Sequence, residues 1–196
     1  TLGSRPVRFT DVTTATHLAL VGFDALAPVA TEEIEIAVQS SDGQQLSLVT
    51  DLNVAEGSFA SEQLTFDPDT AQLLDPELLR EERERLQRIY SAFTVKPLWD
   101  AAFEWPHRGP ITSAYGTYRI YQDQRQGFHT GIDIDGETGD TIHAAASGTV
   151  VLAEELMVHG NSVIIDHGMG VYSVYCHLSR IDVALEQWTE PGDVLG

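Results

Sequence analysis

The sequence predicts a mainly β protein with an N-terminal β-sandwich, one connecting helix and a C-terminal antiparallel β domain. Three observations support this class: short alternating apolar runs in the first third of the chain, one amphipathic stretch after Asp75, and glycine-punctuated strands from Pro97 onward. With 196 residues, 42% of them hydrophobic, the chain is long enough for one or two cores. We therefore predict β domains at 7–66 and 97–196, joined by a linker at 67–96.

The first predicted domain follows from strand periodicity. Ile34, Ile36 and Val38 alternate with more polar positions, and a turn pattern at 40–43 separates them from an apolar run at 46–49. Short strands joined by such turns are typical of an immunoglobulin-like sandwich. Because this segment has no concentration of catalytic residue types, we expect it to act as a spacer or recognition module.

The predicted linker contains a helix at 76–94. Asp75 is a favourable N-cap, Pro76 suits the first helical position, and Lys96-Pro97 ends the helix. The charged run at 81–85 is expected to face solvent, and we assign no chemistry to it. An apolar stripe lies along the opposite side and consists of Leu79, Leu86, Ile89, Tyr90 and Phe93.

The C-terminal region contains the clearest hairpin pattern. Apolar-rich runs at 162–166 and 171–177 flank the turn residues His167-Gly168-Met169-Gly170. His177 ends the second strand, at the rim where a sheet presents reactive groups. The alternative is a histidine satisfied by hydrogen bonds, and the pattern leaves both open. Strict alternation places His177 on one face with Val171, Ser173 and Tyr175.

Bulk properties exclude several classes of function. The net charge of −19 argues against nucleic acid as a partner. A single cysteine, Cys176, excludes an internal disulfide, and no apolar run is long enough to span a bilayer. Because the chain starts at Thr1 without a methionine and stops at Gly196 within a pattern, we expect a processed or incomplete chain. The missing signal peptide is therefore no evidence for a cytoplasmic protein.

Residues 127–135 contain two side chains of zinc-ligand type, His129 and Asp133. Gly131 and its β-branched neighbours disfavour a helix, whereas a strand would place both ligand types and Asp135 on one polar face. Four residues of straight strand span roughly 13 Å, so a shared zinc requires a bend, which Gly131 permits. The motif alone is common by chance, and its interpretation depends on what accompanies it.

Six blocks of sequence occur in an order and at separations that are more specific than any single motif. They are GPITSAYG at 109–116, HTGIDID at 129–135, AAASGTVV at 144–151, GNSVIIDHG at 160–168, YCHLS at 175–179 and PGDVLG at 191–196. Together these blocks resemble the lysostaphin/LytM-type zinc metalloendopeptidases, which cleave peptides of the bacterial cell wall. The resemblance covers residues 106–196 and leaves out the first predicted domain and the helix.

The resemblance implies roles for three residues. His129 and Asp133 match two of the family's three protein zinc ligands, and His177 matches a histidine that lies near the metal-bound water and assists catalysis. The third ligand and a second catalytic histidine belong to a His-x-His motif that normally follows the last block. No such motif occurs among the seven histidines of this sequence, which are at positions 17, 107, 129, 143, 159, 167 and 177.

The resemblance also implies a Zn²⁺ cofactor that activates water for attack on a peptide bond. His177 would orient the water, take its proton or stabilise the developing oxyanion, and the sequence leaves these three roles open.

We therefore expect a zinc metalloendopeptidase that hydrolyses peptide cross-links of peptidoglycan outside the cytoplasm, either secreted or attached to the envelope. The alternative is a non-catalytic LytM-like module that binds the wall or regulates another hydrolase. The presence of His129, Asp133 and His177 favours the enzyme, and the absence of His-x-His from residues 1–196 favours the alternative. The cleaved bond and the oligomeric state are not predicted.

Overall fold

The computed structural model describes residues 7–14, 16–39, 42–65, 75–121 and 126–196. The chain folds into two compact units. Unit 1 comprises residues up to 63 together with 114–132, and unit 2 comprises 64–113 together with 133–196. The predicted mainly β class is confirmed.

Parts of three predictions lie outside the described residues. They are the end of the first domain at Phe66, the start of the linker at 67–74, and Ser40-Ser41 of the predicted turn. The domain boundaries at 7–66, 67–96 and 97–196 stay predictions.

Unit 1 contains two antiparallel strand pairs and a three-stranded sheet, which has the order β5-β7-β8. In β3, Ile34 and Ile36 are half-buried while Glu33 and Glu35 are exposed, so the predicted alternation is confirmed there; it does not extend to Val38, which is exposed. The immunoglobulin-like sandwich stays a prediction. The pairs are β1 (Thr10–Thr13) with β2 (Thr16–Leu18) and β3 (Ala30–Gln39) with β4 (Gln45–Val54); the sheet contains β5 (Ser61–Leu64), β7 (Tyr118–Tyr121) and β8 (Gln126–Phe128).

Unit 2 contains helix α1 and two sheets. The larger sheet has the order β12-β11-β10-β13, and β6 pairs with β9 in the smaller one. The predicted hairpin is confirmed, because β11 and β12 pair antiparallel through Ile165 and Ser173. The elements are α1 (Pro76–Tyr90), β6 (Ile111–Ser113), β9 (Asp133–Ile134), β10 (Gly148–Leu156), β11 (Gly160–Asp166), β12 (Tyr172–Leu178) and β13 (Trp188–Thr189).

Helix α1 begins as predicted but ends early. The Asp75 carboxylate accepts from the Glu77 N–H at 2.8 Å and from the Leu78 N–H at 3.3 Å, which is the geometry of an N-cap. The last helical residue is Tyr90, so the predicted end at 94 is wrong by one turn. The backbone beyond Tyr90 bonds to the turn of the β11–β12 hairpin instead, since the Thr94 carbonyl accepts from the Met169 N–H at 2.6 Å. Among the described residues no helix is long and apolar enough to cross a membrane.

Strand β11 is buried on both faces. Ile164 packs with Leu152 and Leu156 beneath the apolar stripe of α1. Val163 and Ile165 point to the other face, where they join a core cluster with Ala144, Ala145, Val150, Tyr175, Leu178 and Leu195. A strand that is covered on both sides requires a continuous apolar run, and residues 163–165 provide it.

A chain of hydrogen bonds crosses the interior of unit 2. Ala145 N–H donates to the Tyr175 hydroxyl at 2.8 Å, and that hydroxyl lies 3.0 Å from Ser173 Oγ. Ser173 Oγ lies 2.7 Å from His167 Nε2, and Nδ1 lies 2.8 Å from the Ser147 carbonyl, which can only accept. With His167 neutral, Tyr175 donates to Ser173, Ser173 to Nε2, and Nδ1 to Ser147. Each donor in this series of hydrogen bonds then has an acceptor.

Two glycines share a left-handed backbone but differ in the space available for a side chain. Gly168 (φ +84°) and Gly192 (φ +88°) have the same left-handed backbone, but a Cβ on Gly168 would lie 2.0 Å from Lys96 O, whereas one on Gly192 meets nothing within 4 Å. We expect Gly192→Ala to cost about 1 kcal/mol from strain alone. Gly168→Ala should cost about 1–3 kcal/mol more through overpacking. Urea unfolding measures both, and equal costs would contradict the close approach of Lys96 to the hairpin.

The buried His167 predicts an acid-sensitive stability. Burial lowers the pKa of His167, against smaller raising effects of the Ser147 carbonyl and Asp166. The unfolded chain takes up this proton at a pKa of about 6.5 and the folded chain only at lower pH. The stabilisation is therefore complete above about pH 6.5 and is lost, by up to about 1.4 kcal/mol per pH unit, as the pH falls through the folded pKa.

The control for this effect is His167→Gln, which removes the titrating group. Urea unfolding from pH 8 to pH 5 should show that the wild type loses its stability advantage over the variant as the pH falls. A difference that stays constant across this range would show that His167 does not titrate differently on folding.

Candidate active site

His129 is buried in unit 1 and is fixed through both backbone and ring. Its N–H donates to the Thr117 carbonyl at 2.8 Å, and its carbonyl accepts from the Gly116 N–H at 2.8 Å. The ring Nδ1 lies 3.2 Å from the Ala114 carbonyl. A carbonyl only accepts, so Nδ1 carries the proton and Nε2 holds the ring lone pair. This is the tautomer that a histidine needs in order to bind a metal through Nε2.

The single bent strand predicted at 127–135 is wrong in its extent. Strand β8 ends at Phe128, the chain bends at Thr130 and Gly131, and β9 begins only at Asp133. The predicted bend at Gly131 is therefore confirmed. The predicted alternation stops at the bend because β8 pairs with β7 whereas β9 pairs with β6, so the two halves follow different ladders.

Asp133 lies in unit 2 and is exposed at the start of β9. It pairs with Ser113 across the ladder, and its carbonyl accepts a 3.3 Å hydrogen bond from the Thr112 hydroxyl. Its carboxylate is therefore carried by a strand whose backbone is anchored to β6.

His177 also lies in unit 2, at a β-bulge. The register between β11 and β12 shifts so that Cys176 and His177 oppose the single residue Ser162. His177 has a left-handed backbone with φ +57°, an uncommon conformation for a residue other than glycine. Its side chain is exposed while Tyr175 is buried, so the predicted shared face is wrong. The bulge breaks the alternation and turns the imidazole out of the sheet.

The sequence analysis assigned no role to two residues: His159, which lies beside His177, and Glu82, which contacts His159. Glu82 was expected to face solvent but is 7% exposed. Its carboxylate accepts from the Val158 N–H at 2.7 Å and forms a close ion-pair contact with His159 Nδ1. The rings of His159 and His177 stack at a centroid distance of 6.4 Å and an interplanar angle of 29°. Glu82, His159 and His177 therefore form a continuous row of side chains within unit 2.

A sequence signal for Glu82 exists. It lies three residues after Leu79 and four before Leu86, which is helical spacing on the apolar stripe and not on the opposite side. A carboxylate at such a position needs a polar partner in the sheet that the helix covers.

The family resemblance implies zinc, and the described residues provide only part of a zinc site. His129 and Asp133 are suitable ligands by type, and a catalytic site needs three protein ligands. Within the described ranges, no group of three His, Cys, Asp or Glu side chains is arranged to hold a metal ion. The described donors therefore do not by themselves form the complete site.

Comparisons with known proteins agree with the sequence resemblance. The family model described as Peptidase family M23 matches residues 127–196, which include His129, Asp133, His159 and His177.

Three curated relatives match about half of this chain. Outer membrane antigenic lipoprotein B of Haemophilus influenzae is 33% identical over 94 residues, 47% of this chain and 22% of the relative. Murein hydrolase activator NlpD of Escherichia coli is 32% identical over 93 residues, 47% and 23% of the two chains. DD-carboxypeptidase/endopeptidase Mpg of Neisseria meningitidis is 37% identical over 104 residues, 53% and 22%. The matched region thus spans less than a quarter of each relative.

A crystal structure described as that of a candidate peptidase M23 from Pseudomonas aeruginosa aligns with a TM-score of 0.68 and 24% identity, over 100% of this chain and 72% of that one. At this identity the likeness concerns the fold. The family model and the ordered blocks lead to one conclusion: residues 127–196 of this chain match a LytM-type domain of peptidase family M23.

Proposed function

We propose that this chain belongs to a zinc metalloendopeptidase that hydrolyses peptide cross-links of bacterial peptidoglycan. In this proposal His129 and Asp133 are two zinc ligands and His177 is a catalytic residue. The observation that carries it is that all three residues, to which the sequence resemblance gives these roles, lie within the M23 match at 127–196.

The local geometry of His129 supports its role as a ligand. The Ala114 carbonyl holds the proton on Nδ1, so the lone pair is on Nε2 before any metal arrives. The ring is also buried, which reduces the conformational entropy that it loses on binding. When bound, zinc supplies a water molecule whose pKa is lowered towards neutrality.

The position of His177 supports a role in proton transfer. Its imidazole is exposed on a left-handed backbone, and such strain persists only where the surroundings enforce it. An imidazole can accept or donate a proton through either ring nitrogen, so an exposed ring near the end of a strand is suited to proton transfer. The activity requires a third ligand and a second histidine from a His-x-His motif, which is not among residues 1–196.

The names of the relatives support the substrate and the location. One relative is named an outer membrane lipoprotein and another a DD-carboxypeptidase/endopeptidase. We therefore propose an extracytoplasmic protein whose partners are peptidoglycan peptides.

The second candidate is a non-catalytic LytM-like module that binds the wall or regulates a hydrolase. Two observations favour it: a relative is named a murein hydrolase activator, and the described residues form no three-donor metal group. Zinc content and hydrolysis by the full-length protein distinguish the two candidates.

We expect full-length protein that includes the His-x-His segment to bind about one zinc per chain, as a closed set of three ligands requires. His129→Ala should abolish stoichiometric zinc in elemental analysis, because it removes the Nε2 donor. His143→Ala is the matched control, since His143 Nδ1 contacts the Gly192 carbonyl instead. Unchanged zinc in His129→Ala would contradict the ligand assignment, and wild type without zinc would favour the non-catalytic module.

Two substitutions at His177 separate chemistry from strain. His177→Ala and His177→Gly both remove the imidazole, so we expect zinc to be retained and hydrolysis of purified peptidoglycan to be lost. Because φ is +57°, the Gly variant should be about 1 kcal/mol more stable to urea than the Ala variant. Near-normal turnover in either variant would remove His177 from the mechanism, and equal stabilities would contradict the left-handed backbone.

A further inference from the structure

We propose that Glu82 and His159 are positioning residues that hold the His177 imidazole in its working orientation, although Glu82 lies outside the segment that matches the peptidase family. The catalytic consequence rests on the function proposed above, whereas the positioning itself does not.

The first step is the burial of Glu82. Its side chain is 6% exposed, and a carboxylate in that environment is stable only if both oxygens have partners. The backbone N–H of Val158 donates to Oε2 at 2.7 Å, and His159 Nδ1 contacts Oε1. An ionised carboxylate only accepts, so Nδ1 of His159 carries its proton toward Glu82. The ring of His159 is therefore oriented from beneath by a charge on helix α1.

The second step is the contact between His159 and His177. The two rings stack with their centroids 6.4 Å apart, and the backbone N–H of His177 donates to the backbone carbonyl of His159 at 2.9 Å. Gly160 lies beside the same ring, since a Cβ there would be 3.7 Å from His177 Nδ1. Residues 159 and 160 thus contact both the backbone and the imidazole of His177.

The third step is the need for such support. An exposed side chain normally samples several rotamers, and the left-handed backbone of His177 is strained for a residue other than glycine. A ring stacked on one side narrows the orientations of His177, and Glu82 in turn fixes that stacked ring. Leu86 and Ile89, on the same helix as Glu82, pack against an apolar cluster of the sheet. Glu82 therefore acts on the orientation of the His177 ring through its contact with His159.

The test uses NMR of the imidazole groups in ¹⁵N-histidine-labelled full-length protein, with the His177 signals assigned by their absence in His177→Ala. Glu82→Gln keeps the size of the side chain but replaces one acceptor oxygen with a donor, so the side chain can no longer accept from both Val158 N–H and a protonated His159 Nδ1 at their present oxygens. His159→Ala removes the stacked ring at a half-exposed site and is expected to fold even if Glu82→Gln does not. We expect both substitutions to shift or broaden the His177 signals.

The matched control is Arg85→Gln. Arg85 pairs with Glu154 at 3.1 Å, so this substitution also breaks a contact between α1 and β10 but lies outside the row. The His177 signals should stay at their wild-type positions. Unchanged signals in both Glu82→Gln and His159→Ala would overturn the proposal. Equal shifts in Arg85→Gln would also overturn it, because they would show a general effect of helix docking.

Turnover provides the second measurement. Misplacement of His177 should lower kcat on peptidoglycan peptides by about 10- to 100-fold and leave KM within about twofold. The double variant should be no slower than the slower single variant, because both residues act through one path. If the signals shift as expected while wild-type protein hydrolyses nothing, the positioning stands and the proposed enzyme function fails. If wild type hydrolyses while kcat is unchanged in both variants, the positioning role is overturned and the enzyme remains.

Discussion

Strand β11 is covered on both faces, by α1 through Ile164 on one side and by the cluster around Ala144 and Leu195 on the other. Because β11 is held on both faces, its ladder also fixes the position of β12. Polar groups at the ends of β11 are shielded from water, so they need hydrogen-bond partners within the protein. Those groups are paired within the fold: His167 joins the hydrogen-bond chain to Tyr175, and Asp166 contacts Thr94 and the Gly168 N–H. At the β-bulge in this ladder, the side chain of His177 lies at the surface.

The β11–β12 hairpin and the start of α1 were predictable because their signals are local: turn residues between two apolar runs, and an N-cap followed by proline. The end of α1 was not, because the carbonyl of Thr94 bonds to the hairpin, and no local pattern indicates a tertiary partner. His129 and Asp133 were found by residue type and spacing, yet their surroundings were not, since the strand before the bend and the strand after it pair in different ladders.

The orientation of His177 was predicted wrongly for a related reason. Alternation holds only while a ladder keeps its register, and one extra residue in a strand reverses every face after it. Such a bulge arises from pairing with another strand, so it is invisible in the strand's own sequence. Glu82 is the opposite case: its position on the apolar stripe was visible, and the error lay in treating a run of charged residues as uniformly solvated.

The contacts of helix α1 extend this structural domain beyond the residues that match the family. The family match starts at residue 127, but the carboxylate that pairs with His159 comes from residue 82, and the close packing at Gly168 involves Lys96. A protease cut in the segment between Tyr90 and Pro97 would leave the matched residues intact. It would nevertheless remove the covalent link to α1, so the helix could dissociate from the sheet. A fusion protein that carries this domain would therefore have to include the chain from Asp75 onward, because the domain depends on residues that precede the family match at 127–196.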